Sequence, residues 1–493
     1  MEATQETKKA GAKKAGGAKK ARPAAPAPMS SVFGSKAEVP QRPLFDNVTK
    51  QEEEQKLIAV LQSDGAEFDK DAACRRLAVI GTKASVPALA ALLSNDHLCD
   101  VARSALETIP DPAADEALRA TMGKLTGRLL IGVINSIGVR KDAKAVEALA
   151  KRLGGDDAEL AAACAAALAR IGGPEAARAL EQALAGGPEA LKPAVSDACI
   201  TLADDLLVAG KNAEAAAMFD KVRAAKLPKP RLLAATRGAI LARGADGTAL
   251  LIEQLKGEDW EMFDLALRLA REIKGAELTA ALAAEVSTLP PPKQVLLLQA
   301  LGDRRDPVAR VALVLAAKSG DPKVRVAALQ AAAQLADAMD VSVPAVVSTL
   351  FEAALNPQAE VAEAGKAGLA GIPNTNAPVN DAIVARLGDK DAKVRRVAVE
   401  AIGKRLLTAA VPQLAKAADD SDAQVRLAVL MALTDIALAH RGEAAAKAEA
   451  KKAALALADK MAQSNPIEAA EAKKKLSEPL VKKGPAPMRS PGL

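Results

Sequence analysis

The sequence predicts an all-α superhelical solenoid of stacked antiparallel helix pairs. Three observations carry this: an Ala- and Leu-rich composition poor in aromatics, self-similar segments at a helix-pair spacing, and Gly and Pro at helix boundaries. Half of the 493 residues are hydrophobic, yet the chain has one Trp, no Tyr and six Phe. Sheet folds draw more heavily on aromatic and β-branched side chains. Ala and Leu are strong helix formers, and small Ala side chains let helices approach closely.

Residues 1–50 hold ten Lys/Arg against four Asp/Glu, with Lys8-Lys9, Lys13-Lys14 and Lys19-Lys20 followed by Pro23, Pro26 and Pro28. Such a segment buries too little apolar area to offset its ordering entropy, so a disordered basic tail is expected. It contains no apolar core of a secretory signal, and no run of about 18 uncharged apolar residues appears anywhere in the chain. Cys74, Cys99, Cys164 and Cys199 form no CxxC pair and are expected as buried free thiols. No membrane association and a reducing, cytoplasmic setting are expected. Residues 441–493 are also basic, with eleven Lys/Arg against six Asp/Glu, which leaves the body between the two ends mildly acidic.

From about residue 52 the pattern becomes helical and repetitive. Asp321-Pro322-Lys323-Val324-Arg325, Asp391-Ala392-Lys393-Val394-Arg395 and Asp422-Ala423-Gln424-Val425-Arg426 are variants of one unit. Asp391 and Asp422 are 31 residues apart, and Asp321 precedes Asp391 by 70, two units of 35. In each, the Asp is placed to cap a helix whose Val, Ala and Leu recur at helical spacing. Ile80-Gly81, Ile137-Gly138, Ile171-Gly172, Leu301-Gly302 and Ile402-Gly403 each end an apolar stretch with a glycine expected at a left-handed cap. Pro87 and Pro412 then open following helices, where a missing N–H costs nothing.

These units resemble bacterial HEAT repeats of the phycobilisome-lyase type, over roughly residues 70–440 and most clearly at 300–440. The resemblance implies a HEAT/armadillo-like fold. It also implies a ladder of Asp and Arg between neighbouring units, carried here by Asp321/Arg325, Asp391/Arg395 and Asp422/Arg426, as structural capping and pairing or as groove lining. The expected organisation is a tail at 1–50, a solenoid at 51–440, a helical cap at 441–477 and a basic tail at 478–493. Near 202–222 the stretch from Leu206 to Phe219, with Gly210 at a turn, resembles half a tetratricopeptide unit. In the cap, Asn465-Pro466-Ile467-Glu468 reads as a helix start with Asn465 as N-cap.

The chain is poorly equipped for catalysis, and no cofactor is expected. It has two histidines, His97 and His440, both placed near turns. Iron-dependent HEAT enzymes similar to deoxyhypusine hydroxylase need several His-Glu pairs, and no metal site is expected here. His97 and Cys99 are close, but no further ligand completes a zinc set. Neither a G-x-S-x-G elbow nor a phosphate-binding loop is present. Lyase activity on a pigment and DNA glycosylase activity, both known on HEAT folds, are the least favoured readings. The single Trp260 lies among Glu258, Asp259 and Glu261, which would repel phosphate, and is expected to pack between repeats. The first expectation is therefore a non-catalytic scaffold that binds a protein partner along a concave face. The alternative is a protein held on nucleic acid, without sequence preference, by its basic ends.

Overall fold

The computed structural model describes residues 49–336 and 343–478. The segments assigned to the basic tails, 1–50 and 478–493, lie outside the described residues except for Thr49, Lys50 and Glu478.

The chain folds as a HEAT/armadillo-like superhelical solenoid of antiparallel helix pairs in two rows. The first row consists of Glu67–Ile80, Cys99–Thr108, Gly127–Val139, Ala158–Ile171, Lys192–Val208, Lys229–Arg243, Trp260–Glu272, Pro291–Arg304, Pro322–Ala336, Ala359–Gly371, Ala392–Arg405 and Ala423–Leu438. The second row alternates with it along the chain, from Lys50–Gln62 and Val86–Ala91 to Ala377–Ala385 and Val411–Ala417. Helices Ala444–Met461 and Pro466–Ser477 continue both rows as one more pair. Apolar side chains from both rows form one continuous core.

Local chemistry sets the helix starts. Thr49 and Glu52 form a reciprocal capping box on the first helix. Asp111, Asp157, Asp259, Asp391 and Asp422 each accept backbone N–H bonds at the start of a later helix. Asn465 precedes Pro466–Ser477 as expected, but its side chain makes no capping bond. Buried Glu54 accepts from the Thr82 backbone N–H and from the hydroxyls of Thr82 and Ser85. Burial alone would raise its pKa, but these donors outweigh that and hold the carboxyl below its ordinary value.

The glycines at the ends of first-row helices differ from expectation. Only Gly172 of the five has a positive φ (71°), and its ψ of −163° is not left-handed helix. Gly138, Gly302 and Gly403 lie within the last helical turn. A Cβ on any of them would sit 2.8–2.9 Å from the Cα of Ala167, Ala331 or Ala432, each 29 residues further on in the next first-row helix. These glycines therefore serve close helix–helix approach, and the left-handed turn falls three residues later, on Lys141, Arg305 and Leu406.

Two residues after each of these glycines stands an arginine that reaches the other way, to the preceding first-row helix. Arg140 donates to the carbonyls of Leu106, Ile109 and Asp111 and pairs with Asp115. Arg304 donates to Ala270, Ile273 and Gly275. Arg405 donates to Leu369, Ile372 and Pro373 and to the side chain of Asn380. The last carbonyls of a helix have no donor within it, so each arginine completes its neighbour's C-terminus. First-row helices approach to within a glycine's space while many second-row helices are short. The first row is called the inner row below, and the second the outer row.

The stretch near 202–222 continues the same stacking. Gly210 has φ 75° in the turn, and the buried Phe219 ring occupies the space a Cβ on Gly238 would need.

Candidate protein-binding groove

A concavity on the described surface crosses three successive inner helices, Ala359–Gly371, Ala392–Arg405 and Ala423–Leu438. Its volume is about 560 Å³, on the scale of small-ligand and peptide pockets. The Gly403–Ala432 contact draws two of the helices together, and Arg405 ties the third to them through backbone carbonyls. Small residues such as Ala367, Ala370 and Ala401 make the floor, while Leu427 and Met431 form one wall. Met431 is 60% exposed, unusual for a large apolar side chain in the middle of a helix.

The rim is charged and loosely paired. Lys366 lies 3.6 Å from Glu363 and 3.7 Å from Glu400, and Arg396 lies 3.5 Å from Glu400. These separations exceed those of good charge-assisted hydrogen bonds. The Nε of Arg396 is buried and has no hydrogen-bond partner among the described residues. Lys404 and Asp435 complete the rim. An apolar floor with under-satisfied charges around it suits a protein segment that brings an apolar anchor and polar flanks.

The six residues of the expected ladder lie at the starts of Pro322–Ala336, Ala392–Arg405 and Ala423–Leu438, and none is among the groove-lining residues. Asp321 accepts from the N–H groups of Lys323 and Val324, Asp391 from Lys393, and Asp422 from Gln424 and Val425. All three are helix caps. Arg325 donates to the Gln358 side chain, and Arg426 to the carbonyls of Asp420 and Ser421. Arg395 makes a two-pronged pair at 2.7 and 2.8 Å with Asp420, which lies two residues before the capping Asp422. That guanidinium holds the Asp420 carboxyl below its ordinary range. Asp420 and the groove residue Met431 carry no repeat signature in the sequence; Met431 is legible only as an apolar residue in a helix.

Other candidate chemistry is dispersed. His97 and His440 are exposed at turns. The four cysteines are buried and free. Burial raises the thiols of Cys74 and Cys164 to about 11 and that of Cys199 to about 12, which suppresses nucleophilic thiolate. Among the described residues, no group of three or more His, Cys, Asp or Glu could hold a metal ion. Trp260 departs from its expected packing between repeats. It is the first residue of its helix, 56% exposed, while Phe263 one turn later takes the buried place and meets it edge-on at 5.3 Å. Buried Lys293 lies over both rings and donates to the carbonyls of Leu255 and Gly257.

Residues 380–471 match the family model for HEAT repeats. No curated protein matches the sequence. Among solved structures, the karyopherin Kap121p bound to the SUMO protease Ulp1p is similar at 13% identity and a TM-score of 0.47, over 88% of this chain and 54% of that one. The Kap95:Nup1 complex gives 12% identity and a TM-score of 0.41, over 87% and 66%. The chain thus spans between about half and two thirds of the length of these structures.

Proposed function

We propose that the chain is a non-catalytic cytoplasmic scaffold that binds another protein along its inner face. The observation that carries this reading is the 560 Å³ groove over three inner helices, with Met431 exposed in its wall. Extended repeat surfaces bind by complementarity over many side chains, and an exposed apolar anchor point is the usual centre of such a contact. We read the Asp/Arg edge at Asp321, Arg325, Asp391, Arg395, Asp422 and Arg426 as the ladder that keeps neighbouring units in register. The likeness to phycobilisome-lyase-type repeats and the tetratricopeptide-like unit near Gly210 belong to the same reading. Among the described residues, no helix is long and apolar enough to cross a membrane. The test is affinity capture from the native cell with wild type, Met431→Asp, and Ala217→Asp, exposed on the outer-row helix Asn212–Ala224, as control. A protein lost from the first variant and kept by the control supports the proposal; equal recovery with all three refutes it.

A second reading has its own observation: the positive charge is concentrated at the two ends of the chain. Under it, residues 1–50 and 478–493 would neutralise phosphates, and affinity would fall steeply with salt. A salt titration of DNA binding with the full chain and with a chain lacking residues 1–48 separates the two readings. Binding that is absent at low salt, or that survives the deletion undiminished, removes the second.

A further inference from the structure

The three Gly-x-Arg motifs divide the inner row into blocks. In each, the arginine is tied to backbone carbonyls of the preceding helix, and the glycine lets the following helix close. The blocks are Cys99–Thr108 to Ala158–Ile171, Trp260–Glu272 to Pro322–Ala336, and Ala359–Gly371 to Ala423–Leu438. Helices Lys192–Val208 and Lys229–Arg243 lie between the first two blocks and carry no such motif.

The junction between Lys229–Arg243 and Trp260–Glu272 is of a different kind. Its polar links are side-chain ion pairs: Lys229 with Asp259 and, at 4.0 Å, with Glu261, and Arg237 with Glu272 at 2.8 Å. Among the described residues no hydrogen bond to a backbone carbonyl crosses it. The partners are about a third to two thirds exposed, with side-chain values from 31% to 66%. On the far side of Trp260–Glu272, by contrast, Arg304 is tied to three backbone carbonyls. Exposed pairs are weak and screened by salt, whereas backbone ties and close apolar contacts are not.

We infer that this junction is an ionic-strength-sensitive hinge. Lys229 and Arg237 bias it toward the closed arrangement at low salt, over the apolar core that also runs through it. As those pairs are screened, the block beginning at Trp260 swings relative to the helices before it, and the clamped blocks move as units. The hinge sets how wide the inner face opens, and it stands whether or not that face binds a protein.

The four native cysteines are buried, so introduced surface cysteines can be labelled selectively. Thr201→Cys with Gln299→Cys spans the hinge from exposed positions; Asp264→Cys with Gln330→Cys lies within one clamped block. Energy transfer is measured for both pairs between roughly 0.01 and 1 M salt, over which the screening length falls from about 30 to 3 Å. Transfer across the hinge is expected to fall with salt while transfer within the block stays constant. Arg237→Glu should lower transfer at low salt toward the high-salt value, and Arg237→Glu with Glu272→Arg should return it toward the wild-type response. Circular dichroism confirms that each variant remains folded. A hinge pair indifferent to salt overturns the inference. So does an equal response within the block, or a charge swap that fails to restore.

Discussion

Replacing Arg405 by Ala is the sharpest perturbation of the inner row. The side chain is 4% exposed and donates to Leu369 at 3.1 Å, to Pro373 at 3.0 Å, to the Asn380 side chain at 2.6 Å and to Ile372. Leu369, Ile372 and Pro373 end the helix Ala359–Gly371, where the helix supplies no donors of its own. Two terms oppose each other. Hydrogen bonds from a charged donor contribute about 1.5–3 kcal/mol each. Burying a guanidinium costs several kcal/mol, and here burial pulls its pKa down to about 10. The bonds win, because truncation strands carbonyls that no water replaces at full strength, and a net loss of about 2–4 kcal/mol is expected. Arg405→Lys should recover only part of this, since one ammonium cannot reach all four acceptors. Repeat arrays open unit by unit, so hydrogen exchange reads the effect better than a global melt. Amides near residues 366–376 should exchange about 30- to 700-fold faster in Arg405→Ala, at about 1.4 kcal/mol per tenfold, with residues 100–140 unchanged. Unchanged protection near Leu369, or a uniform loss along the chain, would refute the reasoning.

Two further outcomes follow from the same packing. Gly403→Ala gains helix propensity of up to about 1 kcal/mol but drives a methyl against the Cα of Ala432, which no rotamer change relieves. A net loss of about 1–2 kcal/mol is expected, measured by urea unfolding beside the neutral control Lys393→Ala. Alkaline titration tests the buried thiols: with folded pKa values of about 11 for Cys74 and Cys164 and about 12 for Cys199, the unfolded chain loses these protons first. Stability is therefore full below the ordinary thiol pKa and falls as pH rises through it toward 11–12, and Cys→Ser or Cys→Ala variants should flatten that fall in a pH series of melts.

Much of the architecture is legible in the sequence because its causes are local. Asp391 and Asp422 announce helix starts, since a cap needs only its own next residues. The Ala-rich periodicity announces helix-on-helix packing for the same reason. What depends on the neighbouring unit is harder to read. Gly403 looks like a helix stop from its position after Ile402, yet its role is set by Ala432, 29 residues away. Arg405 looks like an ordinary basic residue at a helix end, and only the stacking of neighbouring first-row helices brings Leu369 and Pro373 within its reach. The recurrence of Gly-x-Arg at Gly138, Gly302 and Gly403 was the available signal. Trp260 escapes prediction because the first residue of a helix is covered only if the preceding turn folds over it, and here Phe263 takes the buried place. The groove was legible only in kind: two rows follow from paired helices, but a groove walled by Met431 requires three helices in register.

Site-specific photocrosslinking in the native cell tests the proposed role of that groove most directly. A photoreactive residue in place of Met431 reports on the groove, and one in place of Ala217, exposed on the outer-row helix Asn212–Ala224, reports on the other row. A discrete protein adduct from the Met431 position, absent from the Ala217 position, is the expected result. Adducts to nucleic acid, or the same adducts from both positions, would contradict a protein-binding inner face.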